Sequence, residues 1–334
     1  MASLLERKLV VVTGKGGTGK TTVACALGLI GAKRGLRTIV AELGEQHRLP
    51  ALLGVDAGEE VQLREALWSA SIDPDRAMIE WLGAIGGRLP ARVLAASSTF
   101  QYFAAAAPGA KELVTLRRVI ELCEGSSARR AARRRGTSEH RAGTPEHYDL
   151  VVLDAPATGH ALGMLRSPQT FATIARVGPM VEQTRSVQEL LEDRSRCAYV
   201  AVTHASEMAV TETLELEQQL RRLLDRDLDA IFVNGTYPQR FTREELERLE
   251  RGSSSAESSG DEPSEQAALV RAMARSARAS YARARIQQNQ IARLRRRRFS
   301  DGNPPRVLSI PFQFVPELDL QAIERIAERI AKRA

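Results

Sequence analysis

Long apolar runs are missing from this chain of 334 residues. None reaches the roughly 18 to 20 residues of a membrane-spanning helix, and Met1-Ala-Ser-Leu-Leu-Glu-Arg-Lys lacks the apolar stretch of a secretory leader. The expectation is a cytoplasmic protein, peripheral at a membrane at most. Cysteine is scarce: Cys25, Cys123 and Cys197 are odd in number and far apart, which excludes a disulfide framework and a CxxC metal pair. No internal repeat is present. Acids are absent between Arg271 and Arg298, where ten arginines fall; without those ten the net charge of +7 would be −3. The basic character is therefore local, one adhesive segment rather than a basic domain.

With 43% apolar and 27% charged residues the chain has the material for a sizeable globular core. Near-continuous apolar runs recur at Lys8 to Thr13, Arg37 to Ala41, Asp149 to Asp154, Ala198 to Thr203, Leu228 to Asn234 and Arg306 to Ile310, separated by helical stretches. Such runs predict an α/β fold, a doubly wound and mostly parallel sheet covered on both faces. About a hundred residues separate the second run from the third, more than one crossover helix needs, so Gly54 to Glu124 is predicted to be an inserted helical subdomain within a single domain spanning the chain. Two low-complexity stretches, Gly125 to His147 and Gly252 to Gln266, have few apolar anchors and are predicted to be disordered insertions. From Glu317 onward, Leu320, Ile323, Ile326, Ala327 and Ile330 fall at helical spacing and predict an amphipathic last helix.

The chemistry concentrates in Gly14-Lys15-Gly16-Gly17-Thr18-Gly19-Lys20-Thr21, followed by Thr22. This satisfies G-x-x-x-x-G-K-[ST] directly after a strand and at the opening of a helix, where the pattern has mechanical meaning. Glycines let successive N–H groups point at a phosphate and the helix N-terminus adds its positive end, while Lys20 reaches the β/γ oxygens and the Thr21 hydroxyl ligates Mg²⁺. ATP and Mg are the cofactors this predicts. A second lysine, Lys15, stands directly after the first glycine, the deviant form of the loop found in dimeric ATPases; as a plain loop charge it would simply be solvated. Asp154 ends the third strand, the position from which an acid holds Mg²⁺ through water, with capping of the next helix as the alternative. Thr158, Gly159 and His160 follow it, and a glycine there permits close backbone approach to the γ-phosphate.

With residues 14–22, Asp154 to Leu165 and the ending Ile310-Pro311-Phe312 in view, the chain resembles the anion-transporting ATPase family, which includes the arsenite-pump ATPase and the ATPase that targets tail-anchored membrane proteins. The family forms G-K-G-G-x-G-K-T-T and D-x-x-x-T-G-H-x-L are both matched, the second by Asp154, Thr158, Gly159, His160 and Leu162. Phe103 to Leu113 is similar to the family's Pro-Gly-containing helical region. The resemblance implies a homodimer in which Lys15 crosses to the partner's nucleotide. It also implies that Asn234 recognises adenine and that the Pro311-Phe312 loop closes over the base; a strand-end turn residue is the other reading of Asn234.

One departure bears on catalysis. The family's first switch reads D-P-A-H-x-L, and aligning on His47 and Leu49 puts Gly44 where the water-orienting Asp belongs. Glu45 is the favoured substitute, with Glu42 as the other candidate. The cysteine clusters of the arsenite pump and the CxxC zinc site of the targeting factor have no counterpart, so neither arsenite binding nor a structural zinc is expected. Three functions remain open. The leading one is an Mg-ATP-hydrolysing dimeric switch that handles a client protein or membrane partner, using apolar residues of the helical insertion such as Trp68, Trp81 and Phe103, which a packed core would equally explain. The second is a partition-type ATPase whose Arg271 to Arg298 segment contacts nucleic acid or anionic lipid. The third is a nucleotide-gated regulator without hydrolysis.

Overall fold

The computed structural model describes residues 2–44, 47–85, 109–125, 145–174, 179–255, 265–297 and 306–332. Eight strands form one sheet in the order β3-β4-β2-β5-β1-β6-β7-β8. They are β1 (Leu9–Gly14), β2 (Thr38–Leu43), β3 (Glu60–Arg64), β4 (Leu67–Ile72), β5 (Leu150–Ala157), β6 (Cys197–His204), β7 (Ala230–Thr236) and β8 (Val307–Pro311). All pairings are parallel except β3 on β4. All six strands expected from apolar runs are present, within a few residues of the expected ends.

Strand periodicity sorts the core into two layers. Leu9 and Val11 point to one face with Val151, Leu153 and Tyr199, whereas Val10 and Val12 point to the other with Val40, Val152 and Val200. Helix α2 (Lys20–Lys33) and the last helix, α11 (Leu320–Lys332), cover the second face. Ile323, Ile326 and Ile330 of α11 are buried there, as their spacing predicts. The first face is covered by α5 (Ala110–Glu124), α6 (Thr158–Ile174), α7 (Pro179–Glu192) and α8 (Glu207–Leu224). The remaining helices among the described residues are α1 (Ala2–Leu5), α3 (Arg48–Leu53), α4 (Pro74–Ile85), α9 (Arg243–Ser255) and α10 (Glu265–Arg295).

The stretch from Gly54 to Glu124 departs from the helical expectation. Its first third is the β3–β4 hairpin, which widens the main sheet at the β2 edge. Val61 and Leu63 face inward between exposed Gln62 and Arg64, and β4 is almost wholly buried, so the hairpin satisfies strand periodicity. Helices α4 and α5 follow and pack together, and residues 86–108, including Phe103, lie outside the described residues. Trp68 and Trp81 are 6% and 8% exposed and belong to the core, so neither is displayed to a client. Of the two low-complexity stretches, residues 126–144 and 256–264 lie outside the described residues, while Gly252 to Ser255 end α9 and Glu265 opens α10. Among the described residues no helix is long and apolar enough to cross a membrane.

Candidate nucleotide-binding site

The phosphate loop runs from the end of β1 to the start of α2, at the middle of the sheet. Gly14 has φ +143°, and a Cβ there would lie 2.1 Å from the Val202 carbonyl oxygen of β6, so only glycine fits against that backbone. Gly19, at φ +90°, precedes α2 without a side-chain cap, which leaves the amides of the first turn facing the loop. Thr18 is buried, and its hydroxyl donates to the Lys15 carbonyl at 2.9 Å; Lys20 Nζ donates to the same oxygen at 3.2 Å. By contrast, a Cβ at Gly16 or Gly17 would meet no protein atom within 4 Å, so the loop is open on the side where a phosphate would lie.

Asp154 stands across from Thr21, whose hydroxyl donates to Asp154 Oδ2 at 2.5 Å. The other carboxylate oxygen, Oδ1, is buried and has no hydrogen-bond partner among the described residues. The side chain is thus committed to the phosphate loop rather than to capping α6, which starts only at Thr158. Burial pushes the Asp154 carboxyl above the usual range, against the opposing pull of the Thr21 hydroxyl and the Lys20 charge. Burial likewise lowers Lys20, partly offset by Asp154. In the β2–β5 register Asp154 lies beside Glu42, which is 4% exposed and also raised, first by burial. Two carboxylates side by side, one with an orphaned oxygen, are oxygen donors of the kind that could hold a hard divalent cation.

The residues expected to form the switches follow this pair along the chain, Gly44 after Glu42 and Thr158 to His160 after Asp154. Gly44 continues the line of β2, its N–H donating to the Ile72 carbonyl at 2.9 Å, and φ is +90°. Glu45 lies outside the described residues. Glu42 Oε2 accepts the Leu49 N–H at 3.2 Å and thereby fixes the start of α3, so its carboxylate is occupied with structure. On the opposite side, Thr13 Oγ1 donates to the Pro156 carbonyl at 3.1 Å and braces the exit of β5. Thr158 opens α6, with Gly159 and His160 exposed behind it and open space where a Gly159 Cβ would be.

At the β7–β8 side, Asn234 is built into the phosphate loop. Its Nδ2 donates to the Thr18 carbonyl at 2.9 Å, and its Oδ1 accepts the Gly235 N–H at 2.9 Å. One amide hydrogen and one lone pair are left over for a ligand. Nearby, Phe312 N donates to the Thr236 carbonyl and fixes the turn after Pro311. Phe312 stacks on Tyr237 at 5.4 Å between ring centres and meets Phe314 edge-on at 5.0 Å. Arg283 lies over Tyr237 and Arg240 over Phe314. Phe312 and Phe314 remain 43% and 62% exposed, an aromatic surface beside Asn234 of the type that stacks with a planar base. The sequence marked Asn234, Pro311 and Phe312; it did not mark Tyr237 and Phe314, which complete this ring cluster three and two residues from marked positions. It also missed Glu212 of α8, whose Oε1 is 2.5 Å from Lys15 Nζ.

Cys25, Cys123 and Cys197 are all buried free thiols, and burial pushes Cys25 and Cys197 up to about 12. Among the described residues no three His, Cys, Asp or Glu side chains converge on a common point for a metal ion.

A glycine-rich loop between the central strand and its helix, in a largely parallel sheet, defines a P-loop nucleotide-binding fold. The chain belongs to the anion-transporting ATPase family, whose sequence profile matches residues 7–178. It is 25% identical over 263 residues to ATPase BagA of Mycobacterium tuberculosis, covering 75% of this chain and 72% of that one. It is also 26% identical over 197 residues to ATPase GET3 of Paracoccidioides lutzii, covering 54% and 52%, and 28% identical over 187 residues to an uncharacterized protein of Streptomyces coelicolor, covering 55% and 43%.

Proposed function

We propose that the chain is an Mg-ATP-hydrolysing switch that works as a homodimer and couples its nucleotide state to a client protein or membrane partner. The Thr21–Asp154 bridge, with its orphaned Asp154 Oδ1, is the observation that carries this reading. Thr21 and Asp154 would hold Mg²⁺, which when bound would neutralise charge on the β- and γ-phosphates. The chain's own groups do the rest by positioning. Backbone N–H groups of residues 16–22 orient the phosphates, and Lys20 and Lys15 supply positive charge. The open face at Gly159 admits the γ-phosphate and connects it to α6. Adenine would lie against the Phe312 side of Asn234.

Hydrolysis turns on which carboxylate orients the attacking water. Gly44 has no side chain, and Glu42 is bound to the start of α3, which leaves Glu45 to orient water. Slow turnover follows from this reading. The test is ATP turnover with Mg²⁺ for the wild type beside Lys20→Ala, Lys15→Ala and Glu45→Gln. Activity in the wild type that is lost in all three variants supports a dimeric ATPase with a relocated carboxylate. Tight ATP binding without wild-type turnover replaces it with a nucleotide-gated regulator.

A second reading is favoured by α10. Arg271, Arg275, Arg278, Arg285, Arg293 and Arg296 recur at helical spacing along one side, and all but Arg271 are exposed, while Ala274, Ala277, Ala284, Ile291 and Leu294 are buried on another side. The row is about 38 Å long. Exposed Leu269 and Met273 lie across the helix from it and, of the exposed apolar residues, Ile286 flanks it, so the row is not the broad apolar-and-basic face that inserts into a bilayer. A nucleic-acid backbone fits it better. Retention on duplex DNA that falls steeply with salt, and is lost when Arg275, Arg278 and Arg285 become Ala, would favour this partition-type activity.

A further inference from the structure

Lys15 is rooted in a backbone with little freedom. Gly14 before it is wedged against Val202, and its own carbonyl accepts both Thr18 Oγ1 and Lys20 Nζ. Only the side chain can move, and its direction is set by Glu212, 197 positions away in sequence and 2.5 Å away in space. Glu212 has a steady base. It lies on α8, where the neighbouring Thr211 hydroxyl accepts a hydrogen bond from Arg293 of α10 at 3.1 Å.

We propose that Glu212 is the positioning residue for Lys15: it holds the ammonium within its own subunit until ATP is bound, and releases it when a second copy closes on the nucleotide. This rests on the dimeric reading above. The chemistry of the exchange is favourable and reversible. Lys15 and Glu212 side chains are 36% and 34% exposed, so the pair is partly screened by water and Glu212 is rehydrated easily when it loses its partner. A triphosphate offers the same ammonium several oxygens and more charge than one carboxylate does. A buried pair would trap the lysine, whereas this one delays it. The pair therefore sets how much protein is needed for ATP-dependent association.

The test is sedimentation of the full chain with and without Mg-ATP across a range of protein concentrations, for the wild type, Glu212→Gln, Glu212→Asp and Lys15→Ala. Glu212→Gln should associate at about two- to thirtyfold lower protein concentration than the wild type, the range expected for losing one exposed ion pair in each of the two subunits. Glu212→Asp should lie between the two. In the Lys15→Ala background, Glu212→Gln should change nothing further. A wild type that associates with ATP but is indifferent to Glu212→Gln, or is weakened by it, overturns the positioning role and leaves the dimeric reading intact. A wild type that never associates with ATP overturns the dimeric reading and the release step. The hold within the subunit is then read separately, by amine-reactive labelling of Lys15 in the nucleotide-free protein. Faster labelling in Glu212→Gln supports that hold, and equal labelling overturns it.

Discussion

The same two strands, β2 and β5, end in opposite electrostatic arrangements. At their N-terminal ends Arg37 and Asp149 satisfy each other: Arg37 Nη2 and Nε lie 2.6 and 2.9 Å from the two Asp149 oxygens, and Arg37 N–H adds a third bond at 3.0 Å. The guanidinium holds the Asp149 carboxyl down at about 2. At their C-terminal ends Glu42 and Asp154 stand side by side in register, both raised by burial, and one Asp154 oxygen has no partner among the described residues. One end closes its charges on itself for stability. The other end leaves buried carboxylates that Lys20 and the Thr21 hydroxyl compensate only in part, a cost to folding of the kind that marks binding sites.

The largest test of that contrast is Asp154→Asn, which should weaken Mg-dependent ATP binding by about 10- to 100-fold. Titration with a fluorescent ATP analogue, with and without Mg²⁺, reads this; equal Mg-dependence in the variant and the wild type would remove Asp154 from the cation site. Next in size, Asp149→Asn should cost about 1 to 2 kcal/mol of stability in urea denaturation at neutral pH, a range set by three bonds to a carboxylate that is partly in water. The same Asp→Asn change at position 154 should have the opposite sign in the nucleotide-free protein, raising stability by about 1 kcal/mol because it removes a buried, poorly compensated charge. A matching loss at both positions would end the comparison.

The smallest effects lie in the pH dependence. Asp149 is lowered in the folded state, so its contribution is present above the ordinary carboxylate range and is lost as pH falls through about 2. The deficit of Asp149→Asn should therefore shrink on acidification. Asp154 is raised, so whatever stability its protonated form gives is present at low pH and lost as pH rises through its folded value. The advantage of Asp154→Asn should therefore grow as pH rises from the ordinary carboxylate range toward that folded value and be complete above it. Unfolding midpoints of the two variants, stepped downward in pH against the wild type, should thus converge from opposite sides.

How far each feature could be read in the sequence depended on the range of the interactions that make it. The strands were legible because apolar runs such as Leu9 to Val12 are buried on both faces and need no distant information. The phosphate loop was legible because its spacing is set by one turn of backbone around one phosphate. The β3–β4 hairpin was not, because its turn carries Ala66 at φ +56° instead of the glycine or asparagine that marks such turns. Glu212 had no local signal, being one of several glutamates on α8 and meeting Lys15 only when α8 packs beside β1. Asn234 was marked through the resemblance as a base contact. Its bond to the Thr18 carbonyl depends on where β7 lies relative to β1, which the sequence does not state.

The central place of β1 has a consequence for the growing chain. Its neighbours in the sheet begin at Leu150 and Cys197, the Asn234 brace comes later still, and α11, which packs on α2, follows all of these in the chain. The ATP-binding loop therefore leaves the ribosome well before the strands and the helix that complete it. Nucleotide cannot act as an early folding template here; it can only register a finished product. A premature stop just ahead of α11 would strip the cover from α2, giving a chain with every motif residue and an unsupported pocket, recognisable to proteases by its bare helix.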